Sequence, residues 1–185
     1  DNPSETAFNT VLYTGNATDN TSISVGFQPD FTWIKNRVRA GYNNRLQNSV
    51  VGSTKSLQSN RTVAEQTNAD AVKSFNSDGF VLGTDAGNGS FNKSGDAFVS
   101  WNWKAGTSFT NDASATGIGS IDSAGSVSTD AGFSVISYTG TGSNGTIAHG
   151  LGSAPQVVLL KERNGTSNWL MSHQPLSASL GDYTR

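Results

Sequence analysis

Several short stretches of this chain alternate apolar and polar residues, the period of a strand with one face turned inward. In the stretch opening at Phe8, Val11 and Tyr13 fall on one face and Phe8 and Leu12 on the other. In residues 31–35, Phe31 and Trp33 oppose Thr32 and Ile34. The sharpest alternation is FVSWNWK, residues 98–104, which predicts a strand with an aromatic face (Val99, Trp101, Trp103) and a wet face (Ser100, Asn102, Lys104). Turn signals punctuate the runs: Asp78-Gly79 precedes Phe80, Gly87-Asn88-Gly89 precedes Phe91, and Ser94-Gly95-Asp96 precedes Phe98. Short strands bounded in this way predict an all-β fold, an antiparallel β-sandwich of the jelly-roll or lectin-like kind, rather than a parallel α/β sheet. Residues 62–73 put Val63, Gln66 and Asp70 at helical spacing, but so thin an apolar stripe predicts a loop with one turn at most.

The pattern also repeats. The segment FNTVLYTG at Phe8 returns as FSVISYTG at Phe133, and Gly26, Pro29, Lys35 and Arg37 return as Gly152, Pro155, Lys161 and Arg163. The period of about 125 residues marks a tandem array with less than half of its second unit present. Residues 1–105 are therefore expected to form a first β-sandwich repeat, 106–132 a Ser/Gly/Thr-rich linker, and 133–185 an incomplete second repeat. Within the linker, Ile118, Ile121 and Val127 surround Asp122-Ser123-Ala124-Gly125 in the manner of a small hairpin. Half a sandwich leaves unpaired edges and a bare apolar face, so a neighbouring subunit, further chain or an exchanged strand is expected to complete it.

Composition narrows the function classes. Charged residues make up 14%, against roughly 25% in ordinary globular proteins, while Ser, Thr, Asn and Gly abound, giving a neutral polar surface. A net charge of -2 gives no field for nucleic acid, and Asp30 dilutes the local cluster Lys35, Arg37, Arg39 and Arg45. With no cysteine, disulfides and thiolate chemistry are excluded. The apolar run Val157–Leu160 is far too short to cross a bilayer, and the opening DNPSETAF lacks the pattern of a secretory leader. Asn-x-Ser/Thr sequons at Asn16, Asn20, Asn60, Asn88, Asn92, Asn144 and Asn164 are what chance supplies in a chain so rich in these residues.

Catalytic chemistry finds little footing. His149 lies in AHGLG where the first repeat reads SVG, which suits a turn residue, and His173 has no assignable partner. No Gly-x-Ser-x-Gly elbow is present, and Asp78, Asp85 and Asp96 read as turn formers rather than a glycosidase pair. No enzyme activity is expected. Asp85, Asn88, Asn92 and Asp96 offer oxygen ligands in one glycine-rich loop of the kind that takes calcium, though the spacing matches no EF-hand; no other cofactor is expected. Trp33, Trp101 and Trp103 offer aromatic faces on which a glycan stacks, but core packing is the stronger expectation, because the repeat puts aliphatic Leu159 where Trp33 stands.

Four phrases, VLYTGNATDNTSISVGFQPDFTWIKNR, SFNSDGFVLGTD, SGDAFVSWNWKAG and GFSVISYTGTGSNGTIAHGLGSAPQVVLLKER, cover most of the chain. In them it resembles an uncharacterised lectin-like repeat domain of structural proteins in tailed, especially marine, bacteriophages. The resemblance implies a β-sandwich repeated along a virion protein at the particle surface, with other virion proteins and copies of itself as partners. It carries over no catalytic residue. The expected role is thus a head decoration, fibre or tail-fibre module, the alternative being an adhesin that holds host-surface glycan; neither nucleic acid nor a membrane span enters the expectation.

Overall fold

Phe98 decides which way the central strand faces, because alternation puts it on the same side as Ser100 and Asn102. The computed structural model describes residues 7–87 and 89–174. The first half holds β1 (Phe8–Thr14), β2 (Thr21–Ser24), β3 (Phe31–Asn36), β4 (Arg45–Asn48), β5 (Gly52–Leu57), β6 (Gln66–Thr67), β7 (Val72–Asn76), β8 (Gly79–Leu82) and β9 (Ala97–Trp103). After it come β10 (Thr107–Asn111), the helical turn α1 (Ala113–Thr116), β11 (Ser123–Ser128), β12 (Phe133–Tyr138), β13 (Val157–Leu160) and β14 (Leu170–His173). The protein is all-β, and its strands pair antiparallel in four sheets, ordered β1-β9-β3-β4-β5-β6, β2-β8-β7, β10-β11-β12 and β13-β14. Residues 62–73 form no helix; they give a loop, the two residues of β6 and the start of β7.

The core lies between the first two of these sheets. Ile23, Val72, Phe80 and Leu82 from the three-stranded sheet join Ile34 and Phe98 from the six-stranded one, with Phe91 supplied by the loop before β9. Phe80, Phe91 and Phe98 have no exposed surface, and each contributes about 1.5–3 kcal/mol of burial. Tyr13 stacks on Phe98 with ring centres 5.1 Å apart and 9° between planes. Gly79 opposes Ser24 in the β2–β8 ladder, where a Cβ would collide with the carbonyl oxygen of Ile23.

Because Phe98 points into this core, its wet neighbours go in with it. Ser100 and Asn102 are fully buried, with Thr32 and Gln47 beside them, so the face expected to meet solvent is the inner one; only Lys104 stays exposed. The nitrogen of the buried amide is bonded, Asn102 Nδ2 donating to Asn9 O at 3.1 Å and to Ser100 Oγ at 3.0 Å, whereas Asn102 Oδ1, Thr32 Oγ1 and Gln47 Oε1 are buried without a hydrogen-bond partner. Conversely Trp33, Trp101 and Trp103, expected chiefly in the core, are half-buried on the opposite face and lie outside the buried cluster.

Residues 106–132 hold β10, α1 and β11. Asp112 caps α1, accepting from Ser114 N and Ala115 N, and β11 lies between β10 and β12. The small hairpin expected around Asp122–Gly125 is absent: Ser123, Ala124 and Gly125 sit inside β11, opposite Asn111, Thr110 and Phe109. Small side chains permit this, since a Cβ on Gly125 would lie 2.8 Å from the Phe109 ring.

Candidate functional site

The glycine-rich loop after β8 is braced by two acids, Asp85 within it and Asp70 before β7, and a third, Asp96, lies just before β9. Asp85 takes φ of 57°, a conformation rare outside glycine, and its Oδ2 accepts from Phe91 N at 2.8 Å and Asn92 N at 2.9 Å. Its carboxyl is buried, Oδ1 has no hydrogen-bond partner, and desolvation pushes its pKa up against the pull of the two amides and Arg45. Asp70 braces the same loop from outside, accepting from Thr84 Oγ1 at 2.6 Å, Thr84 N at 3.0 Å and Ala86 N at 3.0 Å. Those bonds hold the Asp70 carboxyl below its ordinary pKa. Asp96 accepts from Arg39 Nε at 2.7 Å and Asn36 Nδ2 at 2.9 Å, and the Arg39 hydrogen bond is the main reason its pKa is lowered.

Of the four calcium candidates, Asn88 lies outside the described residues. Asp85, Asn92 and Asp96 each serve a different segment of backbone or side chain. Asn92 is fully buried, accepts at Oδ1 from Asn16 N at 2.9 Å and donates to Gly83 O at 2.7 Å, which also closes its sequon to a glycan. Among the described residues no three His, Cys, Asp or Glu side chains gather as a metal group. The loop borders a cleft of about 320 Å³ lined by Tyr42, Thr84, Asp85, Lys93 and Ser94 together with small residues. Asp78 stands apart in an exposed turn, where its carbonyl accepts from Val25 N and Gly26 N. Asp85 bonds backbone amides of its own loop, Asp78 acts through its carbonyl, and Asp96 is tied to Arg39 and Asn36 from another part of the chain.

The aromatic face is the second candidate. Trp33 and Trp101 meet edge to face at 6.1 Å, opposite one another in the β3–β9 ladder. Trp103 is crowded by Phe8 at 4.9 Å, Phe31 at 5.4 Å and Phe133 at 6.1 Å, the last nearly parallel to it. A ring from β12 therefore covers part of the face that β9 presents. Within the three tryptophans, Trp103 is engaged by the chain itself, whereas Trp33 and Trp101 chiefly engage each other.

The third is the β13–β14 hairpin. It leaves Val157 49%, Leu159 54% and Met171 61% exposed, on residues whose type belongs in a core. One end is tied to the first half: Arg163 pairs with Glu65 at 2.7 Å and 3.0 Å, and Trp169 Nε1 donates to Gln58 O at 2.8 Å. The sequence signalled none of these ties, since they join residues about a hundred positions apart without a local pattern. Asp30 was equally silent; its carboxylate accepts from Ala105 N at 2.8 Å, Gly106 N at 2.6 Å and Ser49 Oγ at 2.6 Å, closing the ends of β9 and β4.

His149 behaves as a turn residue, its Nδ1 accepting from Leu151 N at 3.1 Å, and His173 lies at the end of β14 opposite Val157. The basic cluster is dispersed into structural contacts: Lys35 donates to Tyr42 O, Arg39 to Asp96, and Arg45 is buried over the Phe91 ring. No described helix is long and apolar enough to cross a membrane.

A family profile described as a domain of unknown function, DUF7483, matches residues 2–184. The chain belongs to this family. The DUF7483 match runs unbroken through both halves, including β10 to β12 and the exposed hairpin. Neither curated proteins nor solved structures gave a significant match.

Proposed function

We propose that this DUF7483 chain is a non-catalytic structural module of a bacteriophage virion, displayed on the particle surface as a head decoration, fibre or tail-fibre component. Its lectin-like or jelly-roll units repeat along the protein and assemble with neighbouring subunits. The observation that carries the assembly reading is the β13–β14 hairpin, whose Val157, Leu159 and Met171 are exposed and whose outer edges are unpaired among the described residues. The phage assignment rests on the four phrases of sequence resemblance, and a neutral surface of hydroxyls and amides accords with an exposed coat. Quantitative mass spectrometry of purified, salt-washed particles is expected to find the chain at constant copy number: many copies for a head decoration, few for an appendage. Absence from such particles overturns the reading.

A second reading, a module that binds host-surface glycan, is favoured by one specific feature, the half-buried edge-to-face pair Trp33–Trp101. Glycan-array signal that disappears in Trp101→Ala, with the melting transition retained, supports it; a blank array rejects it. Neither reading needs a cofactor, and a calcium titration that releases heat and raises Tm would add an ion at the Asp85 loop.

A further inference from the structure

β12 and β13 present the same backbone edges as β1 and β3, but among the described residues no strand lies between them as one does between the latter two. In the first half that strand is β9. Lys104 N donates to Ala7 O at 2.8 Å and Gly15 N to Asp96 O at 2.9 Å, so the odd-numbered residues of β1 direct their N–H and C=O groups at β9. Arg37 N donates to Ala97 O at 2.8 Å, so the odd-numbered residues of β3 do the same, while Ser49 N on Asp30 O at 2.9 Å turns the even-numbered ones to β4.

The second half reproduces both edges. Leu159 opposes Met171 in β13–β14, as Trp33 opposes Leu46 in β3–β4. Gln174 N donates to Gln156 O at 2.8 Å, which gives the even-numbered residues of β13 to β14 and leaves Val157 and Leu159 aimed at an edge that is open among the described residues. Their sequence counterparts, Phe31 and Trp33, face β9. In β12 the side is marked by Gly125, whose Cβ would lie 2.6 Å from Val135 O: the odd-numbered residues face β11, and Ile136 and Tyr138 face outward. Their counterparts Val11 and Tyr13 face β9. Arg163 Nη1 reaches Ser137 Oγ at 3.2 Å, which holds the ends of β12 and β13 near each other although they belong to separate sheets.

We propose that the gap between β12 and β13 is a receptor for one extended strand of β9 chemistry, bulky apolar residues alternating with small polar ones, pairing antiparallel with both edges. Main-chain bonds to two edges supply affinity, and bulky positions opposite Val157 and Leu159 supply the register, as Trp103 and Trp101 do opposite Phe31 and Trp33. This deepens the assembly reading and rests on it, yet the tests are separate: particle composition decides virion membership, strand capture decides the gap.

The test adds a labelled peptide AFVSWNWK, with two further lysines for solubility, to the full chain and follows anisotropy and hydrogen exchange. Saturable binding is expected, with slowed exchange at Ile136, Tyr138, Val157 and Leu159 and none at β9 itself. The same peptide N-methylated at its serine keeps its side chains but loses a donor, and is expected to bind about tenfold more weakly or worse. Ile136→Pro removes an N–H that faces the gap and is expected to weaken capture equally while near-ultraviolet dichroism is retained. No saturable binding, protection confined to other strands, or equal binding of the N-methylated peptide overturns the proposal. So does a dimer in light scattering, before any peptide is added, that protects these same amides, since a second copy then fills the gap.

Discussion

Asp85 combines a left-handed backbone, a buried carboxyl and one oxygen without a partner, so its cost depends on its charge. Burial raises its pKa, and the native state therefore binds its proton more tightly than the unfolded chain does. Its contribution to stability is present below the ordinary value of 3.8 and is lost as pH rises through the elevated one. Asp85→Asn keeps an acceptor for Phe91 N and Asn92 N and removes the charge, so its Tm is expected to exceed that of the parent at pH 7. The gap should close below pH 3.8, and a difference independent of pH in melting scans would contradict the assignment. Asp70, Asp96 and Asp112 titrate in the opposite sense. Their hydrogen bonds lower their pKa values, so the stability they give is full above 3.8 and drains away as pH falls through the lowered values. Asp96→Asn should flatten part of that acid limb. Gly79→Ala tests close approach alone: with Ile23 O in the way of a Cβ, a loss of about 1–3 kcal/mol in urea unfolding is expected.

At the scale of elements, alternation located β1, β3 and β9 within a residue or so at either end, because a two-residue period is a local property of side chains. Which face turned inward was not local. Ser100 and Asn102 look like solvent residues by type, but Phe98 shares their side and closes onto Phe80 and Leu82 across the other sheet. Asn102→Leu therefore tests a buried polar position: Ser100 Oγ and Asn9 O lose a donor, and a destabilisation of about 1–3 kcal/mol is expected in equilibrium unfolding. In residues 106–132 the small side chains that suggested a linker are what allow β11 to fit between β10 and β12. Asp85 and Asp96 were legible as residues of turn-rich segments, whereas Arg39 as the partner of Asp96, and Asn16 and Gly83 as partners of Asn92, were not, since nothing in a local window records which distant group a polar side chain will meet.

Across the whole molecule, the exposed hairpin is tied to the first half through its connecting loop, where Glu65 N donates to Arg163 O at 2.8 Å and Ser167 N to Thr62 O at 3.0 Å. Arg163 and Glu65 form a bidentate pair with Glu65 largely covered, and Trp169 bonds the backbone at Gln58. Arg163→Ala should loosen this attachment by about 1 kcal/mol. Hydrogen exchange is expected to quicken in β13 and β14 and stay unchanged in β8; uniform quickening would mean that the halves unfold as one unit. The sequence by itself determined that the chain is built of short antiparallel strands and that the pattern opening at Phe8 returns at Phe133, because period, turn chemistry and self-similarity are all written in neighbouring residues. Tertiary structure alone decided that the serine and asparagine face of β9 lies inside, that Phe133 stacks on Trp103, and that β12 and β13 belong to separate sheets. Those outcomes follow from which apolar surfaces meet and which backbone groups find partners, and both depend on segments tens of residues apart coming together.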